Sequence, residues 1–124
     1  MNTALLISLG AILGALSRWQ LGIWLNPLFS SMAVGTLVAN LLGCFLIGIA
    51  LGLNLSESHR LLFITGFLGS FTTFSAFSAE VSQALLQQKW LNALMVFSLH
   101  TFSGFMATLL GIGLMKWVTS GRFW

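Results

Sequence analysis

A chain of 124 residues that is 57% hydrophobic and only 6% charged cannot build the polar exterior of a soluble domain, which takes about a quarter charged residues. Its formal net charge of +3 comes from five basic residues, Arg18, Arg60, Lys89, Lys116 and Arg122, which are scattered rather than clustered as nucleic-acid binding requires. What remains is one all-α, multi-pass membrane domain over residues 1–124, its apolar flanks solvated by the lipid bilayer.

A membrane-spanning helix needs about 20 apolar residues at about 1.5 Å rise each. Four stretches meet that length, at about 4–24, 32–55, 61–86 and 91–118. The first has no basic n-region before it and is too long for a signal-peptide core, so it is expected to be retained as a span. Arg18 lies toward its far end, where it either snorkels to the interface or pairs, or else lends positive potential to a pore vestibule. A short polar link follows, Asn26-Pro27 with Ser30-Ser31.

The second span carries no charge. Thr36, Asn40, Cys44 and Gly48 recur every four residues and line one stripe, with Asn40 near mid-depth. An amide in hydrocarbon must find partners; either Asn40 bonds another helix or its NH₂ faces an ion. Cys44 is the lone cysteine, so no intrachain disulfide forms, and it reads as a small buried apolar residue. Gly10/Gly14 and Gly48/Gly52 form GxxxG pairs, which let helices approach closely.

The third span is the unusual one. Gly66-Phe67-Leu68-Gly69-Ser70-Phe71-Thr72-Thr73-Phe74-Ser75-Ala76-Phe77-Ser78 puts glycines, hydroxyls and aromatics at mid-membrane. Glycine and Thr weaken a continuous helix, and Ser and Thr supply local caps. A break near Gly69–Thr73 is expected, with a second half-helix starting around Phe74-Ser75. Non-helical backbone survives at that depth only where protein or a watery pathway covers it, and transporters bind ions at such breaks. The competing reading is a continuous helix whose hydroxyls bond neighbouring helices. Phe74 and Phe77 share a face of the second half, either as packing or with positive ring edges offered to an anion. Glu80, the only acid inside a span, continues with Gln83 and Gln87 as a polar face suited to a vestibule. In the fourth span His100, Gly104 and Thr108 share a face bordered by Ser103; His100 is either a satisfied structural residue or a proton or hydrogen-bond relay. All five tryptophans, Trp19, Trp24, Trp90, Trp117 and Trp124, fall near span ends, as an interfacial belt does. No hydrolytic constellation or metal-ligand spacing is present, so no enzyme activity is expected.

Three segments together resemble the Fluc (CrcB) family of fluoride channels: Gly14-Ala15-Leu16-Ser17-Arg18-Trp19, Gly35-Thr36-Leu37-Val38-Ala39-Asn40-Leu41-Leu42-Gly43, and Gly66 through Ser78 followed by Glu80. The resemblance spans essentially the whole chain. It implies an antiparallel, dual-topology homodimer with two fluoride pores in a bacterial inner membrane, reducing fluoride toxicity by passive export. It implies that Asn40 hydrogen-bonds the ion and that Phe74 and Phe77 point ring edges at it, with Ser75, His100, Ser103 and Thr108 as further pore residues and Arg18 and Glu80 at the vestibule. It also implies a structural Na⁺ at the dimer centre, held by the backbone carbonyls of Gly69 and Thr72. Two positions depart from the family pattern: Ala76 stands where Thr is frequent, and Gly104 where Ser is common.

The chemistry suits the implied ion. Fluoride is small, tightly hydrated and a strong acceptor, so a pore must replace its water with donors and positive edges. No Lys or Arg lies at mid-membrane to trap it. Two alternatives differ in class. A small multidrug-type dual-topology transporter needs a carboxylate in the first span, which is missing. A non-transporting membrane assembly protein leaves the broken-helix motif without purpose.

Overall fold

A computed structural model describes residues 2–120; Arg122 and Trp124, counted above among the cations and the belt, lie outside the described residues. All regular secondary structure among these residues is helical, and four helices are long and apolar enough to cross a membrane.

Helix α1 (Thr3–Leu25) starts where the Asn2 side chain accepts the Ala4 N–H, which satisfies an otherwise orphaned first-turn donor. It runs into a 3₁₀ turn, Asn26–Leu28, with Pro27 in its first positions. Helix α2 (Val34–Gly52) ends at Gly52 because Leu53 turns extended, three residues short of the expected end at 55. The third span begins earlier than expected, with α3 (Glu57–His59), since Ser56 caps it by accepting the His59 N–H. Polar Glu57, His59 and Arg60 hide this start from a reading based on hydropathy alone. A π-helical segment, Arg60–Leu68, and α4 (Gly69–Phe71) complete the first half of that span. After Thr72 and Thr73, α5 (Phe74–Leu86) forms the second half. Helix α6 (Trp90–Ser120) is the fourth span.

The glycine pairs work as close contacts within the chain. A Cβ on Gly10 would strike the Leu62 carbonyl, and one on Gly14 the Phe67 carbonyl, so α1 lies backbone-to-backbone on the π-helical segment. A Cβ on Gly48 would strike the Thr108 carbonyl, and one on Gly52 would meet Met115 Cβ at 2.5 Å, so α2 lies as closely on α6. Trp19, Trp24, Trp90 and Trp117 are all exposed, as residues facing a membrane interface should be.

Candidate ion pathway at the helix break

The break falls at two residues. Thr72 is extended at φ −92°, ψ 154°, and Thr73 at φ −148°, ψ 112°. Each hydroxyl finishes one half-helix: Thr72 Oγ1 donates to the Leu68 carbonyl at 2.9 Å, and Thr73 Oγ1 accepts the Ala76 N–H at 3.1 Å. Gly69 remains helical, so the break is shorter than the expected 69–73 segment.

Asn40 crosses from α2 to hold this gap. Its Oδ1 accepts the Thr73 N–H at 2.8 Å, and its Nδ2 donates to the Thr73 carbonyl at 3.1 Å. The amide thus pairs with both backbone groups of one residue, as a neighbouring strand would. Nδ2 also lies 3.1 Å from His100 Nδ1 on α6. One side chain therefore ties the second, third and fourth spans together, and both of its N–H groups are engaged inside the chain.

Arg18 does not reach for the interface. Its Nε donates to the Ser70 carbonyl at 3.1 Å, placing a cation at the C-terminal end of the first half-helix, where the helix dipole favours it. The carbonyls that the family resemblance implies as Na⁺ ligands are those of Gly69 and Thr72. No donor among the described residues reaches either one, because the Thr73 N–H that would continue the helix to Gly69 goes to Asn40. Unpaired neutral carbonyl oxygens at a helix break are the ligand type Na⁺ takes, so these residues fit the implied ion.

Between the break, α2 and α6 lies a cavity of about 600 Å³. It brings together Asn40, Gly69, Thr72, Phe74, Phe77, His100 and Thr108. Ser75 and Ser103 are not on its wall; the Ser75 hydroxyl lies 3.1 Å from Thr73 Oγ1. The wall adds Thr73 and Thr101, which the sequence reading did not single out as pore residues. Thr101 had a usable signal, since it precedes Thr108 by seven residues on the same helix face. Phe77 is 9% exposed and stacks on His100, with centroids 4.5 Å apart at 20°. Phe74 is 77% exposed and meets Phe77 edge-on, 5.6 Å apart at 78°.

Glu80 belongs to a second cavity of about 1110 Å³, lined by the first and third links and by Gln83, Gln87 and Lys89. Its Oε2 accepts the Ala33 N–H at 2.9 Å, and Asn26 Oδ1 accepts the Gly35 N–H at 2.7 Å. The acid thereby anchors α5 to the start of α2, beside the polar face expected of a vestibule.

A family model described as "CrcB-like protein, Camphor Resistance (CrcB)" matches residues 5–112. The chain belongs to the CrcB family. A protein of Haemophilus ducreyi (strain 35000HP / ATCC 700724) named fluoride-specific ion channel FluC is 56% identical over 124 residues, all of both chains. Proteins of the same name from Pasteurella multocida (strain Pm70) and Haemophilus influenzae (strain PittGG) are 54% and 52% identical. The first covers 90% of this chain and 91% of the relative, and the second 94% of each. This CrcB chain is therefore a multi-pass membrane protein and not an enzyme.

Proposed function

We propose that the protein is a fluoride-selective channel that lets the anion leave the cytoplasm passively and so limits its toxicity. The observation that carries this reading is the cavity at the helix break. In one mid-membrane space it gathers hydroxyls, an imidazole and two phenylalanines set edge to face, with no lysine or arginine on its wall. Such a wall can take over the hydration of a small acceptor anion without holding it. Curated relatives matching 90–100% of the chain bear the name of that activity.

The working unit is an antiparallel homodimer in the bacterial inner membrane, with both orientations of the chain present. Phe74 supports it, being an aromatic on the cavity wall that the single chain leaves 77% exposed. A Na⁺ ion sits at the dimer centre on the Gly69 and Thr72 carbonyls of both copies. The cation compensates the carbonyl ends of two first-half helices and holds the breaks in register.

Purified protein in liposomes should pass fluoride far faster than chloride and should not exchange a quaternary ammonium drug for protons. Equal fluoride and chloride rates would end the channel assignment, and drug–proton exchange would put the multidrug reading in its place.

A further inference from the structure

We propose that the Thr101 hydroxyl on α6 is a further anion donor on the wall of this cavity, one that helps replace the water a permeating fluoride sheds. The proposal rests on the fluoride-channel reading; it adds a contact to those described above and displaces none.

Five residues of α6 line the cavity: His100, Thr101, Gly104, Phe105 and Thr108. At about 100° per residue they span an arc of roughly 140°, in the order His100, Gly104, Thr108, Thr101, Phe105. Thr101 therefore lies inside the arc and not at its start. Beyond Phe105 the circumference carries Phe102, Met106, Leu109 and Leu110, all exposed as lipid-facing side chains are. Thr101 is half-buried. It neither disappears into a helix seam, as Val96 and His100 do, nor stands out into lipid.

An α-helix gives a threonine a near partner, the carbonyl four residues back. Thr72 Oγ1 donates to the Leu68 carbonyl at 2.9 Å, and Thr108 Oγ1 to the Gly104 carbonyl at 3.2 Å. Thr73 Oγ1 lies against Ser75 Oγ and accepts the Ala76 N–H. Of the four threonines on the wall, Thr101 alone has no hydrogen-bond partner among the described residues. Nor is its oxygen walled in, since the fully covered, unpartnered side-chain atoms among the described residues are Glu80 Oε1 and His100 Nε2. A hydroxyl left unbonded against hydrocarbon is costly, whereas one facing a hydrated ion pathway is satisfied there. Thr101 and Thr108 share a face seven residues apart, which sets hydroxyls at two levels about 10 Å apart along α6. Thr108 can offer an ion its hydrogen only by breaking a bond to its own helix. Thr101 gives up nothing, so it is the readier donor to a strong acceptor such as fluoride.

Liposome flux with full-length protein separates this role from packing. Thr101→Val keeps the shape and loses the hydroxyl, and Thr101→Ser keeps the hydroxyl and loses a methyl group. A donor role puts Thr101→Val several-fold to roughly tenfold below wild type, within the worth of one hydrogen bond to a charged group. It also puts Thr101→Ser well above Thr101→Val, an order that a packing role reverses. Thr101→Val should match wild type in gel filtration and in melting temperature in detergent. Wild-type flux in Thr101→Val, or Thr101→Ser no faster than Thr101→Val, would each overturn the assignment to Thr101 alone. So would a Thr101→Val protein that changes oligomeric state or melts markedly earlier, which would put the hydroxyl on a helix or subunit seam. Wild-type vesicles that pass fluoride no faster than chloride would overturn the channel reading itself, whatever the order of the variants.

Discussion

Phe74 and Phe77 are three residues apart on α5 yet sit in opposite surroundings, and that contrast separates a pore role from packing. Phe77 is buried between His100 and Phe97, so Phe77→Ile removes a ring edge and also loosens the contact with α6. Phe74 is 77% exposed in the chain, so Phe74→Ile changes little within the fold. Ring contacts of this kind are worth about 0.5–1.5 kcal/mol. If both edges touch the ion, each substitution should lower fluoride flux several-fold to roughly tenfold. Phe74→Ile should do so with the melting temperature in detergent unchanged. Full flux in both variants would return the pair to packing. Gly104 is a second informative residue, since a Cβ there would lie 3.5 Å from Cys44 Sγ, an ordinary contact. Gly104→Ser should therefore fold normally and conduct, restoring the hydroxyl common in the family; aggregation of that variant would show that the α2–α6 seam is tighter than this contact implies. These residues were legible because rare side chains at mid-membrane stand out against Leu and Ile. The commitment of the Asn40 protons was not legible, because Thr73, its partner, lies 33 positions away.

Among the helices, the two seams built on glycine pairs should respond to substitution in a way the break does not. Gly48→Ala would push a methyl group into the Thr108 carbonyl. Overpacking of that kind costs about 1–3 kcal/mol, so the melting temperature should drop, well below that of Gly104→Ser. Equal melting temperatures for the two variants would contradict the close approach of α2 and α6. At the break, Thr73→Ala removes the cap on Ala76 N–H, worth about 0.5–2 kcal/mol, and frees the Ser75 hydroxyl from its neighbour. It should weaken α5 without separating α2 from α6. The break itself was readable from sequence because Gly, Ser and Thr crowd one short stretch. The early start at Glu57 was readable only through the Ser56 cap. The π-helical segment carries no composition of its own; it lies where Gly10, Gly14 and Gly66 bring two backbones together, a condition that arises only once α1 is in place.

At the scale of the whole chain, orientation in the membrane follows from charge. By sequence order, four spans put the N-terminus, the second link and the C-terminus on one side, and those segments of the sequence hold Arg60, Lys116 and Arg122. The first and third links share the other, and the cavity around Glu80 brings these two links together; they hold Lys89, with Arg18 nearby. Topology follows the Lys and Arg excess on the cytoplasmic side, and three against two is close to balance. The Arg18 guanidinium donates to the Ser70 carbonyl at the break, so it counts only in part, and the bias stays small. The dual topology proposed above needs such a balance, under which the chain should insert both ways and opposite copies should pair about a twofold axis in the membrane plane. Asn54→Lys with Ser58→Lys adds two charges to the second link while sparing the Ser56 cap, and should pin one orientation. Leu28→Lys with Gln88→Lys should pin the other, leaving Asn26 and Glu80 to hold α2. If the antiparallel dimer is the working unit, cells carrying either pinned variant alone should be as fluoride-sensitive as cells with no channel, and cells carrying both should recover resistance. Full resistance from one pinned variant, with its single orientation verified by cysteine accessibility, would rule the antiparallel dimer out.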